Sequence, residues 1–87
     1  MKLVLVEWVD SHSSSNAGWR RLADIADDGG EATRCRSVGW LVSDSGDCKV
    51  IVPHLSGDTQ KSTVPYGRGE LTIPNKAIVS LCVLQKK

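Results

Sequence analysis

The chain places the three residue types of a serine catalytic set side by side, at Asp10, Ser11 and His12. Nucleophilic catalysis needs a histidine within hydrogen-bond reach of the serine hydroxyl and a carboxylate that orients the imidazole. Consecutive residues of an extended chain point their side chains to opposite sides, so this spacing does not form such a set. We therefore predict that Asp10 caps a turn at a strand end and that the protein is not an enzyme.

A second group, Trp19-Arg20-Arg21, combines an aromatic plane with two guanidinium groups. Such a group can stack on a base and bind phosphate oxygens in a bidentate manner. We predict a local site for a small anionic, nucleotide-like ligand. The alternative is that Trp19 packs in the core and both arginines are solvated. The predicted ligand-binding residues are Asp10, Ser11, His12, Trp19, Arg20, Arg21 and Arg68.

The histidines and cysteines that could bind a metal do not have the spacing of a metal-binding motif. Neither C-x-x-C nor H-x-x-x-H occurs among His12, His54, Cys35, Cys48 and Cys82. The isolated G-x-G at 67–69 lacks the helix that follows a nucleotide-binding glycine motif. We therefore predict no metal and no cofactor.

Length and composition favour one small domain over residues 1–87. Eleven Lys and Arg against ten Asp and Glu leave a net charge of +1, so there is no strong signal for nucleic-acid binding. Three cysteines, an odd number, favour buried thiols in a reducing cytosol over a disulfide framework. Glu7 and Asp10 interrupt the apolar start of the chain, so we expect no signal peptide, no membrane span and a cytoplasmic location.

The pattern of apolar residues predicts an all-β fold. Short helical turns are expected within 19–28, where Gly29-Gly30 ends them, and at Pro74 within 73–76. Polar connections are expected over 10–18 and 54–65. The predicted strands are 2–9, 33–44, 48–53, 67–73 and 77–84.

Ser45-Gly46 is predicted to form a two-residue hairpin turn. That turn would pair Trp40 with Ile51 and Val38 with Pro53, and the opposite face of the hairpin would also be apolar. Only one face can line the core of so small a chain, so the other needs cover from the N-terminal segment, a second subunit or a ligand. We predict an oligomer interface at Trp40, Ile51 and Val38.

The order of elements resembles the Sm-like and SH3-like class of small barrels. A long strand with Gly39, a hairpin partner, a variable loop, a short strand, one helical turn at 73–78 and a closing strand follow that order. The resemblance implies a five-stranded open barrel in which Gly39 lets a strand bend sharply. It also offers RNA binding as a function, although Pro74-Asn75 replaces the family's glycine-after-basic RNA-contact motif.

At whole-chain level the sequence resembles a group of small tailed-phage and prophage proteins. The shared motifs are W-x-D-S at 8–11, a second tryptophan at Trp19, C-x-S-x-G at 35–39 and G-x-x-x-I-P at 69–74. The resemblance implies a phage accessory protein acting in a bacterial cytoplasm, with no reaction attached.

Three functions remain open on the sequence. The first is a non-enzymatic phage protein that, as a homo-oligomer, binds a small nucleotide-like signalling molecule and so counteracts a host defence system. The second is a protein-protein adaptor or inhibitor that docks on a host or phage protein through an apolar face containing Trp40 and Ile51. The third is Sm-like RNA binding.

Overall fold

A computed structural model describes residues 1–11, 18–30, 32–57 and 66–85, and within these the fold is all-β. His12 lies outside the described residues. The two predicted helical turns are found, one as a short α-helix after β1 and one as a 3-10 turn before the last strand. The elements are β1 (Leu3–Asp10), α1 (Leu22–Asp28), β2 (Thr33–Asp44), β3 (Cys48–Val52), β4 (His54–Ser56), β5 (Tyr66–Arg68), β6 (Leu71–Pro74), the 3-10 turn Asn75–Ala77 and β7 (Ile78–Val83).

Five antiparallel strands form the main sheet in the order β6-β3-β2-β1-β7. The two edge strands, β6 and β7, are consecutive in the chain and are joined only by the 3-10 turn Asn75–Ala77. Three residues cannot cross a flat five-stranded sheet, whose strands lie about 4.8 Å apart, so the sheet must curl. No hydrogen-bonded ladder joins β6 to β7 within the described residues, and the sheet is not closed into a barrel.

One face of the curled sheet carries the core. Alternate residues of a strand point to the same side, and Val4 and Val6 of β1 are fully buried. They pack with Ile51 of β3 and Ile73 of β6, which lie on the same face of the sheet. The partly buried residues around this cluster are Trp8, Leu41, Leu71, Ala77, Ile78 and Leu81.

The β2–β3 hairpin has a different register from the predicted one. Its connection is three residues long, because Ser45 closes it by accepting hydrogen bonds at Oγ from the backbone N–H groups of Asp47 and Cys48, at 3.3 and 3.2 Å. A bulge between Leu41 and Ser43 adds a second shift.

The shifted register changes which residues share a face. Leu41 pairs with Ile51 and Trp40 pairs with Val52, so Trp40 and Ile51 lie on opposite faces of the sheet. Ile51 is 2% exposed and belongs to the core. The predicted pairing of Trp40 with Ile51 is therefore wrong.

The strand β4 lies within the polar connection predicted over 54–65, and it pairs with β5, which overlaps the start of the strand predicted over 67–73. His54 pairs with Arg68 and Ser56 with Tyr66, so the chain continues as a two-stranded ribbon beyond Val52. The base of this ribbon lies against the main sheet, where a β-carbon at Gly67 would be 3.4 Å from the Val52 side chain.

The cysteines are not the buried thiols expected from the sequence. Cys35 and Cys48 are half-buried and Cys82 is exposed, and all three are free. In the part of the chain that the structure describes, no helix is long and apolar enough to cross a membrane.

Candidate functional site

The end of β1 holds the first predicted site residues. Asp10 is the last residue of β1 and pairs with Thr33 at the start of β2. Ser11 follows it and is exposed. The connection that carries Trp19 therefore leaves the sheet at Asp10 and returns to it at Thr33, at one end of the β1–β2 pair.

Trp19 is not part of the core. Its exposed fraction is 106%, so none of the residues that the structure describes covers the indole ring. Leu22 and Ile25, three and six residues further on, are 82% and 45% exposed. Leu22 and Ile25 are three residues apart in α1 and share one of its faces, whereas Trp19 precedes the extended N-cap residue Arg21 by two positions. We call Trp19, Leu22 and Ile25 the arm stripe.

The two arginines after Trp19 differ in their surroundings. Arg20 is half-buried. The guanidinium of Arg21 donates hydrogen bonds to both carboxylate oxygens of Asp24, from Nε at 3.1 Å and from Nη2 at 3.4 Å. This ion pair partly neutralises Arg21, which reduces its attraction for an external anion.

Arg68 lies in the second sheet. It occupies β5 opposite His54 and is exposed. Asp10 and Ser11 are at the end of β1 in the main sheet, so the predicted residues come from two separate sheets.

A pocket that was not predicted lies on β1, β2 and β7. It encloses about 160 Å³ and is lined by Glu7, Trp8, Arg34, Cys35, Arg36 and Val79. Arg34 and Arg36 are two residues apart in β2 and therefore point to the same side of the sheet. Glu7 is the direct partner of Arg36 in β1, and Arg36 Nε lies 3.6 Å from Glu7 Oε1. We call this the arginine pocket.

A bulge in the pairing of β1 with β7 places Val79 of β7 at one side of the arginine pocket. Glu7 pairs with Ser80 and Trp8 pairs with Ile78, which leaves Val79 as an extra residue in the ladder. Such bulges redirect a side chain, and Val79 lines the pocket. Besides Trp8 and Cys35, the residues that line the pocket thus supply two guanidinium groups, one carboxylate and one aliphatic side chain.

The side chains that line the arginine pocket suit a bound anion better than a bound cation or the reacting bond of a substrate. Two guanidinium groups against one carboxylate leave a local excess of positive charge, and guanidinium forks match the oxygens of phosphate. The volume of about 160 Å³ suits a phosphate-sized group rather than a whole nucleotide. The signal in the sequence was the alternation of Arg34 and Arg36 in a predicted strand, a spacing that puts both side chains on one face.

The predicted oligomer-interface residues do not form one surface. Val38 and Trp40 lie two residues apart on the outer face of β2, where Val38 is 52% exposed, whereas Ile51 is in the core. Beside Trp40 is a depression of about 540 Å³ lined by Met1, Lys2, Leu3, Trp40, Val83, Leu84 and Gln85. We call it the outer groove.

No group of three or more His, Cys, Asp or Glu side chains that could hold a metal ion occurs in the described ranges. No protein-family model matches the chain, and no curated protein or solved structure matches it at a significant level.

Proposed function

We propose that the protein is a non-enzymatic phage accessory protein that binds, as a homo-oligomer, a small anionic nucleotide-like signalling molecule and so counteracts a host defence system. The observation that carries the binding part is the arginine pocket, at the end of the sheet from which the connection with the exposed Trp19 departs. The phage and host-defence parts rest on the resemblance of the motifs at 8–11, 19, 35–39 and 69–74.

The two features supply complementary contacts. Arg34 and Arg36 match a phosphate group, with each charge-assisted hydrogen bond worth about 1.5–3 kcal/mol. Trp19 provides an exposed ring for a base, and stacking adds about 1–3 kcal/mol. Glu7 opposes the anion, because its carboxylate lies against Arg36. An anionic ligand must therefore displace the Glu7 carboxylate from the Arg36 guanidinium.

The proposal includes an open barrel of the Sm-like or SH3-like kind as the scaffold. Its support is the short connection Asn75–Ala77 between the edge strands β6 and β7. In such a scaffold the outer face of β1 and β2 stays available for a ligand and for a second subunit.

A thermal-shift screen against cyclic and linear nucleotides tests the binding part. A ligand at about 100 times its dissociation constant adds roughly 2.7 kcal/mol to the free energy of unfolding, which is a clear rise in Tm for a domain of this size. We expect Arg34→Gln and Arg36→Gln to abolish the shift. Lys76→Gln is the matched control, since it removes an exposed cation outside the pocket and should leave the shift unchanged.

Two further variants separate the roles of the neighbouring groups. Glu7→Gln should tighten binding, because it removes the carboxylate that competes for Arg36. Trp19→Phe should keep most of the binding through stacking, whereas Trp19→Leu should lose it. A screen in which no nucleotide raises Tm would contradict the proposal.

A protein-docking function is the second candidate, and the arm stripe is the observation that favours it. Three apolar side chains on one short segment, exposed at 106%, 82% and 45%, provide an anchor of the kind found at the centre of protein interfaces. Capture of a host or phage protein by the wild type but not by Leu22→Glu, with no response to nucleotides, would favour this function.

A further inference from the structure

We propose that the arginine pocket takes the terminal phosphate of a phosphomonoester, a dianion, and discriminates against the monoanionic phosphate of a diester or of a cyclic nucleotide. The inference rests on the proposed function, because it names the class of nucleotide that the same site binds. Glu7, Arg34 and Arg36 are the side chains that carry it.

The three charged side chains of the pocket lie on one face of the sheet. Arg36 has Glu7 as its partner in β1, and Arg34 has the uncharged Val9. Directly opposite residues share a face, and Arg34 and Arg36 are two residues, or about 6.6 Å, apart along β2. Both guanidinium groups can therefore reach one phosphate group that lies between them.

The two arginines differ in what holds them. Arg36 Nε lies 3.6 Å from Glu7 Oε1, and the two side chains are 76% and 38% exposed. An ion pair this exposed contributes little to stability, so an incoming anion can displace Glu7. Arg34 has no side-chain ion pair or hydrogen bond among the residues that the structure describes. An anion thus meets one free guanidinium and one that already holds a carboxylate.

The carboxylate of Glu7 determines what a ligand gains at Arg36. An ionised carboxylate offers one negative charge and two acceptor oxygens. The phosphate of a diester also carries one charge and has two non-bridging oxygens. Exchange of one for the other at Arg36 therefore replaces like with like, and a diester gains its affinity from Arg34 alone.

A terminal phosphate gains affinity at both arginines. It carries a charge of about −1.5 to −2 at pH 7 and has three acceptor oxygens. Two guanidinium forks can each bind two of these three oxygens, with one oxygen shared, whereas the two oxygens of a diester fill only one fork. The second charge also neutralises the second guanidinium group.

The size of the arginine pocket agrees with a phosphate at the end of a ligand. Its volume of about 160 Å³ equals the liquid volume of roughly five water molecules, which is room for a phosphate but not for a ribose and a base as well. In a 3′,5′-cyclic nucleotide two bonds join the phosphate to the ribose, so the ribose must enter with it. The volume therefore favours a phosphomonoester on steric grounds too.

Isothermal titration calorimetry of the full chain tests the discrimination with adenine ligands that differ only at the phosphate. These are AMP, the methyl ester of AMP, 3′,5′-cyclic AMP and adenosine, and the guanine series repeats the test. AMP should bind the wild type at least about tenfold more tightly than either ester, the factor expected for one additional charge-assisted hydrogen bond. Equal binding of AMP and its methyl ester overturns the inference and keeps the proposed function, whereas no binding in either series contradicts both.

Three variants assign the discrimination to the pocket. Arg36→Lys should weaken AMP binding at least about threefold and change binding of the methyl ester little, because the diester gains nothing at Arg36; a purely structural role of Arg36 would weaken both. Glu7→Gln should strengthen binding of the methyl ester about two- to fivefold, the worth of an exposed ion pair. Lys76→Gln is the control and should leave both affinities unchanged. Circular dichroism and Tm verify that each variant keeps its fold.

The pH dependence of the ligand gives an independent readout. The second pKa of a phosphomonoester is about 6, so only about a quarter of AMP is a dianion at pH 5.5. The charged side chains that face the phosphate are Glu7 of β1 and Arg34 and Arg36 of β2, and any titration in the protein affects both ligands. The ratio of AMP affinity to methyl ester affinity should therefore fall about fourfold between pH 7.5 and pH 5.5. A ratio that does not change with pH would show that the second charge is not recognised.

Discussion

Gly39 lies so close to Val52 that a β-carbon at position 39 would be 2.9 Å from the Val52 carbonyl oxygen. It would also be 3.2 Å from the β-carbon of Ile51 in the core. Real β-carbons do not approach backbone oxygen this closely, so either strand must shift to accommodate a side chain. Glycine at this position therefore lets β2 and β3 approach each other closely.

Gly39→Ala should lower the free energy of unfolding by about 1–3 kcal/mol, the usual cost of overpacking. Urea unfolding followed by circular dichroism measures the loss. Gly46→Ala is the control, because a β-carbon there would meet no atom within 4 Å, and it should change stability by less than about 0.5 kcal/mol. Equal stability of the two variants would contradict the close approach.

Ile51 and Val38 test the register of the β2–β3 hairpin. Ile51→Ala should cost about 2–5 kcal/mol, because the side chain is 2% exposed and its removal leaves a cavity. Val38→Ala should cost less than about 0.5 kcal/mol in the monomer, since Val38 is 52% exposed. Denaturant midpoints of the two variants decide between this register and the one inferred from sequence, which put both residues on one face.

The strands of the main sheet and the two helical turns could be predicted because each carries a local signal. The strand predicted over 33–44 is β2 with the same bounds, and the helical turn expected at Pro74 is the 3-10 turn Asn75–Ala77. The hairpin register could not be predicted, because it depends on hydrogen bonds of Ser45 and on a bulge at Val42. Neither leaves a trace in the alternation of apolar residues.

The sequence could identify candidate site residues but not their surroundings. Trp19 beside Arg20 and Arg21 was a recognisable cluster, and the open choice between core and surface is decided by its 106% exposure. The ion pair of Arg21 with Asp24 could have been predicted from helical spacing, because the two residues are three positions apart. The arginine pocket needed the pairing of Glu7 with Arg36, which joins segments 29 residues apart.

Trp8 and Ser37 form a pair that should stabilise the edge of the core. Trp8 Nε1 donates a hydrogen bond of 3.0 Å to Ser37 Oγ, and both residues are half-buried. A double-mutant cycle with Trp8→Phe and Ser37→Ala should give a coupling energy of about 0.5–1.5 kcal/mol. Urea unfolding of the four proteins measures it, and additive losses would mean that the hydrogen bond contributes nothing.

Asn75 ties the 3-10 turn to the β2–β3 turn. Its Nδ2 donates a hydrogen bond of 2.8 Å to the Ser45 carbonyl, and its backbone N–H donates one of 2.9 Å to the Asp47 carbonyl. These two hydrogen bonds fix the connection between β6 and β7 to the turn of the β2–β3 hairpin.

Asn75→Ala should lower the free energy of unfolding by about 0.5–1.5 kcal/mol, because one side-chain hydrogen bond is lost while the backbone one remains. Asn75→Asp should cost more, since a carboxylate oxygen would replace the donor and face the Ser45 carbonyl oxygen. The neighbouring exposed Lys76→Ala is the control and should change stability by less than about 0.5 kcal/mol. If Asn75→Asp is no less stable than Asn75→Ala in urea unfolding, the Nδ2 group is not the donor that holds the two turns together.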